Sequence, residues 1–161
     1  MDDTVEIRPT SPEDQGAIRA LAAAAGLFSE DEAAEIITDV GTSGEGDSLW
    51  LGAVGPAGAL VGAVYAGREP VSDEVWNMYF LAVDPSLHGT GVGSALVAET
   101  ESRLRRRSEG PASAVVVETS SGESYAAARR FYAGRGYTQV GRVPQYYGPD
   151  EDKIIFWKLL R

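Results

Sequence analysis

Between Val75 and Val117 the chain reads as strand, glycine turn, helix and strand, an order that fixes a parallel crossover before any other element is placed. Val75 to Val83 is an apolar run that stops at Asp84-Pro85. Gly89, Gly91 and Gly93 follow at alternate positions and open a helix that runs to about Arg107, before Pro111 breaks the pattern. Ala114-Val115-Val116-Val117 is then the continuous apolar run of a strand covered on both faces. Two strands joined through a helix lie parallel in one sheet, and the crossover is right-handed.

The turn inside this unit also has chemistry. Glycines placed directly after a strand and at the start of a helix bring bare N–H groups to a helix N-terminus. Unsatisfied donors and the positive end of the helix dipole favour an anion there, most naturally phosphate. No Gly-Lys-Ser/Thr follows, so this is not a Walker loop, and the spacing is not that of a dinucleotide fingerprint. The competing reading is a turn whose glycines serve only its shape.

The remaining elements surround the crossover. Val5 to Arg8 alternates as a strand and ends at Pro9, and Ser11-Pro12-Glu13-Asp14 has the hydroxyl, proline and acids of a helix start. A second helix is expected from Ser29, with Ile36, Ile37 and Val40 on its buried side. Leu49 to Val54 and Leu60 to Tyr65 form a hairpin around Gly55-Pro56-Ala57-Gly58. A helix is expected from about Ser124 to Gly134, then strands near Thr138 to Val143 and Lys153 to Leu160. The expected fold is α+β: a mixed, largely antiparallel sheet of about seven strands with helices on both faces and a central parallel pair. At 161 residues the chain suits one domain spanning 1–161.

Composition removes whole classes of function. There is no Cys and one His, which excludes disulfides, thiol nucleophiles and Cys/His or multi-His metal sites, so no metal is expected. A formal charge of −10 argues against nucleic acid as the main partner. The basic run Arg103 to Arg107 complements the dipole at a helix C-terminus. No apolar stretch reaches the length of a membrane span and no leader pattern opens the chain, so a cytoplasmic protein with no membrane partner is expected.

Leu81-x-Val83-x-Pro85 before His88-x-x-Gly91-x-Gly93 resembles the acetyl-CoA signature of the GCN5-related N-acetyltransferases (GNAT), Gln/Arg-x-x-Gly-x-Gly/Ala. Further on, Ala128-Arg129-Arg130-Phe131-Tyr132-Ala133-Gly134-Arg135-Gly136-Tyr137 is similar to that family's second cofactor motif, Ala-x-x-Phe-Tyr-x-x-x-Gly-Phe/Tyr. The element order matches that fold as well, so the resemblance covers nearly the whole chain. It implies acetyl-CoA as donor and CoA as product. It also implies that backbone groups of Leu81, Ala82 and Val83 pair with the pantetheine arm. The amides of Gly89, Thr90, Gly91, Val92, Gly93 and Ser94 would then hold the pyrophosphate. His88 replaces the usual Gln or Arg, so it either contacts phosphate or caps the turn. Tyr125 stands where the family often has Asn, and Ala128 and Tyr132 belong to the second motif.

Tyr132 is the expected general acid, because a phenol can protonate the departing thiolate of CoA. The alternative for Tyr132 is a core aromatic. The base is less defined. In several family members a Glu stands eleven residues before the Gln/Arg position, but here that position is Asn77. Asn77 cannot be a base, although it could orient water or substrate. Glu118 and Glu74 are the candidate carboxylates, and direct deprotonation by water is the alternative. Ser120 and Ser121 have no His placed to activate them, so the amine is expected to attack the thioester directly. The aromatic and acidic segment Pro144 to Lys153 is read as a loop between the last two strands, either receiving a cationic amine or simply solvated. The expected activity is acetyl transfer to a primary amine of a small molecule or amino acid. The alternatives are a protein or aminoacyl-tRNA acetylator and a non-catalytic acyl-CoA-binding regulatory domain. The family commonly forms dimers, so a homodimer is expected.

Overall fold

The computed structural model describes residues 5–25 and 46–161. The helix expected from Ser29 lies outside them. Among the described residues there are seven strands: β1 (Glu6–Pro9), β2 (Ser48–Val54), β3 (Leu60–Arg68), β4 (Val75–Val83), β5 (Ala114–Ser120), β6 (Thr138–Gly148) and β7 (Glu151–Leu159). Three α-helices accompany them: α1 (Gln15–Ala24), α2 (Val92–Arg105) and α3 (Ala126–Gly134). The strands form one sheet in the order β1-β2-β3-β4-β5-β7-β6. β4 and β5 pair in parallel, with Val75 opposite Ala114 and Asn77 opposite Val116. The pairs β1–β2, β2–β3, β5–β7 and β6–β7 are antiparallel. The mixed sheet and its parallel crossover are as the sequence predicts.

The chain divides into two compact units, Met1–Gly67 with Phe80–Arg103 and Arg68–Tyr79 with Leu104–Arg161. In the first, Ile18, Leu21 and Ala22 lie at helical spacing on α1 and pack with Trp50, Ala63, Phe80 and Ala82. Trp50 stacks on Tyr65 at 4.7 Å and leans on Phe80 at 5.7 Å. The next residue along β3 from Ala63 is Gly62, which faces the other way and meets α2. A Cβ built there would come 2.9 Å from Leu96 and 3.1 Å from Val92, so only glycine lets α2 lie this close to β3. Helices therefore cover both faces of β3.

The start of α1 follows the residues read as a helix opening. Pro12–Asp14 is a 3-10 turn, and Asp14 accepts from the Ser11 N–H at 2.8 Å. Arg8 adds a two-pronged bridge to Asp14, at 2.8 and 3.0 Å. The Arg8 hydrogen bond holds the Asp14 carboxyl below its ordinary range. A depressed folded value means the stabilisation is present above the ordinary Asp pKa, about 3.9, and is lost as pH falls through the folded value. Asp14→Asn is expected to cost about 1–2 kcal/mol at pH 7, since Arg8 is partly solvated. In urea titrations at a series of pH values, the gap between wild type and variant should close below about pH 3.9.

The second unit is built on β5 and β7. Val115 and Val117 are fully covered and Val116 is half-buried. Tyr132 on α3 packs edge-on against Phe131 and Tyr137, at 5.3 and 5.7 Å, and lies 6.1 Å from Phe156. The Arg107 guanidinium covers the buried Trp76 ring at 4.5 Å.

One expectation is corrected here. The segment from Pro144, read as a loop, is strand as far as Gly148, and only Pro149 and Asp150 turn the chain. Pro is tolerated in β6 because β6 is the edge strand, where a missing N–H breaks no ladder. Gln145 takes φ +55, with its N–H donating to Asp152 Oδ1 at 2.8 Å.

Candidate active site

In the first unit, the turn after β4 spends some amides on itself and leaves others open. Asp84 Oδ1 accepts from the Ser86 N–H at 2.9 Å, a bond that lowers the Asp84 pKa. The N–H groups of Leu87, His88 and Thr90 donate to Asp84, Pro85 and Leu87 carbonyls. Thr90 thus departs from the expected set of phosphate donors, because its amide is already bonded within the turn. The amides of Gly89, Gly91, Val92 and Gly93 donate to no protein acceptor among the described residues. Gly89 and Gly91 stand at φ +80 and +97, a conformation that glycine adopts without strain. Nothing lies within 4 Å of a Cβ built on either one. Open amides, open space and the start of a fourteen-residue helix suit a diphosphate.

His88 has a defined partner. Its ring Nε2 lies 3.0 Å from the Val83 carbonyl oxygen, so the nitrogen carries the proton and closes the turn onto the end of β4. Of the two readings of His88, this geometry is that of a turn cap. The Ser94 backbone stands in the first turn of α2, and Leu81, Ala82 and Val83 form the last residues of β4.

In the second unit, one face of the sheet gathers acids and phenols. Asn77 and Val116 are paired residues and share a face with Glu118, two positions along β5. Lys153 on β7 reaches Glu118 at 3.5 Å and lies 3.7 Å above the Tyr146 ring. Burial works against the Lys153 charge, but Tyr146 and Glu118 more than offset it and raise its pKa. Burial also raises the Tyr147 phenol. Tyr146 and Tyr147 are both exposed on the β6 edge. Glu74 sits apart, in an exposed 2.9 Å pair with Arg161.

Tyr132 is buried on α3 and its pKa is pushed far up by burial. Ala128 stands one turn before it, and Tyr125 precedes the helix with its N–H bonded to the Gly122 carbonyl at 3.0 Å. Arg129 fixes this entry by donating to the carbonyls of Ser120 and Gly122, at 2.6 and 2.8 Å. Ser120 Oγ donates to Glu151, which leaves it a structural hydroxyl with a carboxylate partner and no imidazole.

Residues 45–139, more than half of the chain, match the acetyltransferase (GNAT) domain. The chain belongs to the GNAT acetyltransferase family. It is an N-acetyltransferase by that membership, and acetyl-CoA is the general donor of the family. A GNAT-family structure from Desulfovibrio desulfuricans is 25% identical, with TM-score 0.85, over 98% of this chain and 100% of that one. The ribosomal-protein-S18-alanine N-acetyltransferase of Escherichia coli shares the fold at 22% identity and TM-score 0.77, over 98% and 94% of the two chains. So does an aminoglycoside 6'-N-acetyltransferase complexed with coenzyme A, at 19% and 0.77, over 97% of each. No curated protein sequence matches the chain. Among the described residues, no helix is long and apolar enough to cross a membrane.

For this GNAT chain the sequence motifs fall into two groups. The turn residues Leu81 to Ser94 lie together in the first unit. Asn77, Glu118, Tyr125, Ala128 and Tyr132 lie in the second. Two side chains escaped sequence reasoning. Glu69 bonds Asn77, and Lys153 bonds Glu118. A carboxylate eight residues before a buried Asn across a hairpin has no sequence signature. Lys153 was visible only as the residue opening the last strand.

Proposed function

We propose that this GNAT chain uses acetyl-CoA to acetylate a primary amine of a small molecule or amino acid by direct attack on the thioester. The open amides of Gly89, Gly91, Val92 and Gly93 support this most directly, because they are unspent donors at a helix start where the family motif expects a diphosphate. Leu81, Ala82 and Val83 would hold the pantetheine arm through backbone groups. When bound, the donor supplies an acetyl group activated as a thioester.

The chain's own residues then handle protons. Glu118 takes a proton from the acceptor ammonium, and Lys153 holds that carboxylate in place. Tyr132 Oη keeps its proton until a thiolate departs. Lys153 already covers the Tyr146 ring, so the acceptor amine would meet the Glu118 carboxylate and the Tyr147 ring. A second reading is favoured by the same edge: two exposed tyrosines on β6 could border a peptide, and one neighbour acts on a ribosomal protein. A dimer, expected from the family, is a further proposal.

The test is thiol release from acetyl-CoA with free amino acids, polyamines, aminoglycosides and short peptides as acceptors. Turnover with small amines exceeding that with peptides supports the first reading, and the reverse order the second. Binding of acetyl-CoA with no thiol release from any acceptor would overturn both.

A further inference from the structure

A buried amide oxygen in the second unit, Asn77 Oδ1, has no hydrogen-bond partner among the described residues. Asn77 is 2% exposed, and none of the described residues donates a hydrogen bond to its Oδ1. An amide oxygen left unpaired in the interior is unfavourable unless a water or a ligand completes it. The other end of the same amide is held tightly, since Nδ2 donates to Glu69 Oε1 at 2.7 Å. A carboxylate only accepts, so the amide atom facing Glu69 must be the nitrogen. The oxygen is thereby turned away from Glu69. Glu69 is itself fixed at the mouth of the β3–β4 hairpin. Its N–H donates to the Val75 carbonyl at 2.9 Å, and its carbonyl accepts from the Ser72 N–H at 3.1 Å. Asn77 is the last β4 residue in register with β5. Glu118 follows on the same face, roughly 7 Å farther along the strand direction.

We propose that Glu69 is a positioning residue for the acceptor: it locks the Asn77 amide so that Oδ1 accepts a hydrogen bond from an N–H of the incoming amine. The site takes an ammonium with N–H groups. It rejects a quaternary ammonium, which has none, and a carboxylate, which would face another acceptor. Acceptor and base then stand on one face, with Asn77 holding one N–H while Glu118 receives the proton of another. This inference rests on the proposed function only for the ligand class, a primary amine.

The experiment is a ¹⁵N-resolved NMR titration of the full chain with methylammonium and, separately, tetramethylammonium. Neither arm needs acetyl-CoA, so failure of acetyl transfer and failure of this inference are separate results. Methylammonium should shift the Asn77 side-chain NH₂ signals, and tetramethylammonium should not. In Glu69→Gln the new amide can donate or accept, which frees the Asn77 orientation at nearly constant size. The methylammonium dissociation constant should then rise at least about fivefold. In steady state with the best amine of the panel, the same variant should raise the amine KM by more than it lowers kcat. Asn77→Ala should abolish the preference for methylammonium. Equal responses to the two cations overturn the proposal, as does an unchanged methylammonium constant in Glu69→Gln or Asn77→Ala.

Discussion

Replacing Tyr132 with Phe should lower kcat by about a hundredfold or more while the Kd for acetyl-CoA stays within about twofold. The variant removes one oxygen and keeps the ring among Phe131, Tyr137 and Phe156, so packing is conserved. On the proposed role of Tyr132, what is lost is the proton for the leaving thiolate. Burial raises the Tyr132 pKa, so the folded protein holds the phenol protonated across the range in which the chain can work. The sign matters for the pH profile. A raised value means the acid form persists as pH rises, so Tyr132 imposes no basic limb on kcat below about pH 10. Stopped-flow thiol release, with calorimetry for Kd, checks both statements. Full turnover in Tyr132→Phe would make it a core aromatic only.

The crossover from Val75 to Val117 was legible because every local signal in it agrees: an apolar strand, a stop at Asp84-Pro85, glycines at positive φ and a second apolar strand. β4 has the bounds that its pattern predicts. The last hairpin was less legible. Pro144 and Gly148 are loop residues by propensity, and only the place of β6 at the edge lets them continue a strand. Within the candidate site, the turn could be read because its open donors are backbone amides, and glycine spacing reports backbone shape. His88 could not be resolved between two roles, since both need the same donor and only the position of the Val83 carbonyl decides. The surroundings of Asn77 were half legible. The count from His88 located the residue, but Glu69 reaches it across a hairpin, where sequence separation carries no information about side-chain contact.

Gly91→Val should weaken binding of CoA at least tenfold, and Gly58→Val gives the control that makes the result specific. Both glycines belong to the first unit, both have positive φ, +97 and +86, and a Cβ at either meets nothing within 4 Å. A β-branched residue is strained at each, by roughly 1–2 kcal/mol or more. Thermal melts should therefore register comparable losses. The two turns differ in what their amides do. Gly58 donates to the Gly55 carbonyl at 3.0 Å and closes the β2–β3 hairpin, whereas the amides of Gly89, Gly91, Val92 and Gly93 have no protein acceptor among the described residues. If those four amides hold the diphosphate, strain at Gly91 redirects them and raises the Kd, while strain at Gly58 leaves the Kd within about twofold of wild type. A tenfold loss is about 1.4 kcal/mol, on the scale of one charge-assisted hydrogen bond. Equal Kd values in the two variants, measured by calorimetry with CoA, would mean that the open amides are a consequence of turn shape and that the diphosphate binds elsewhere.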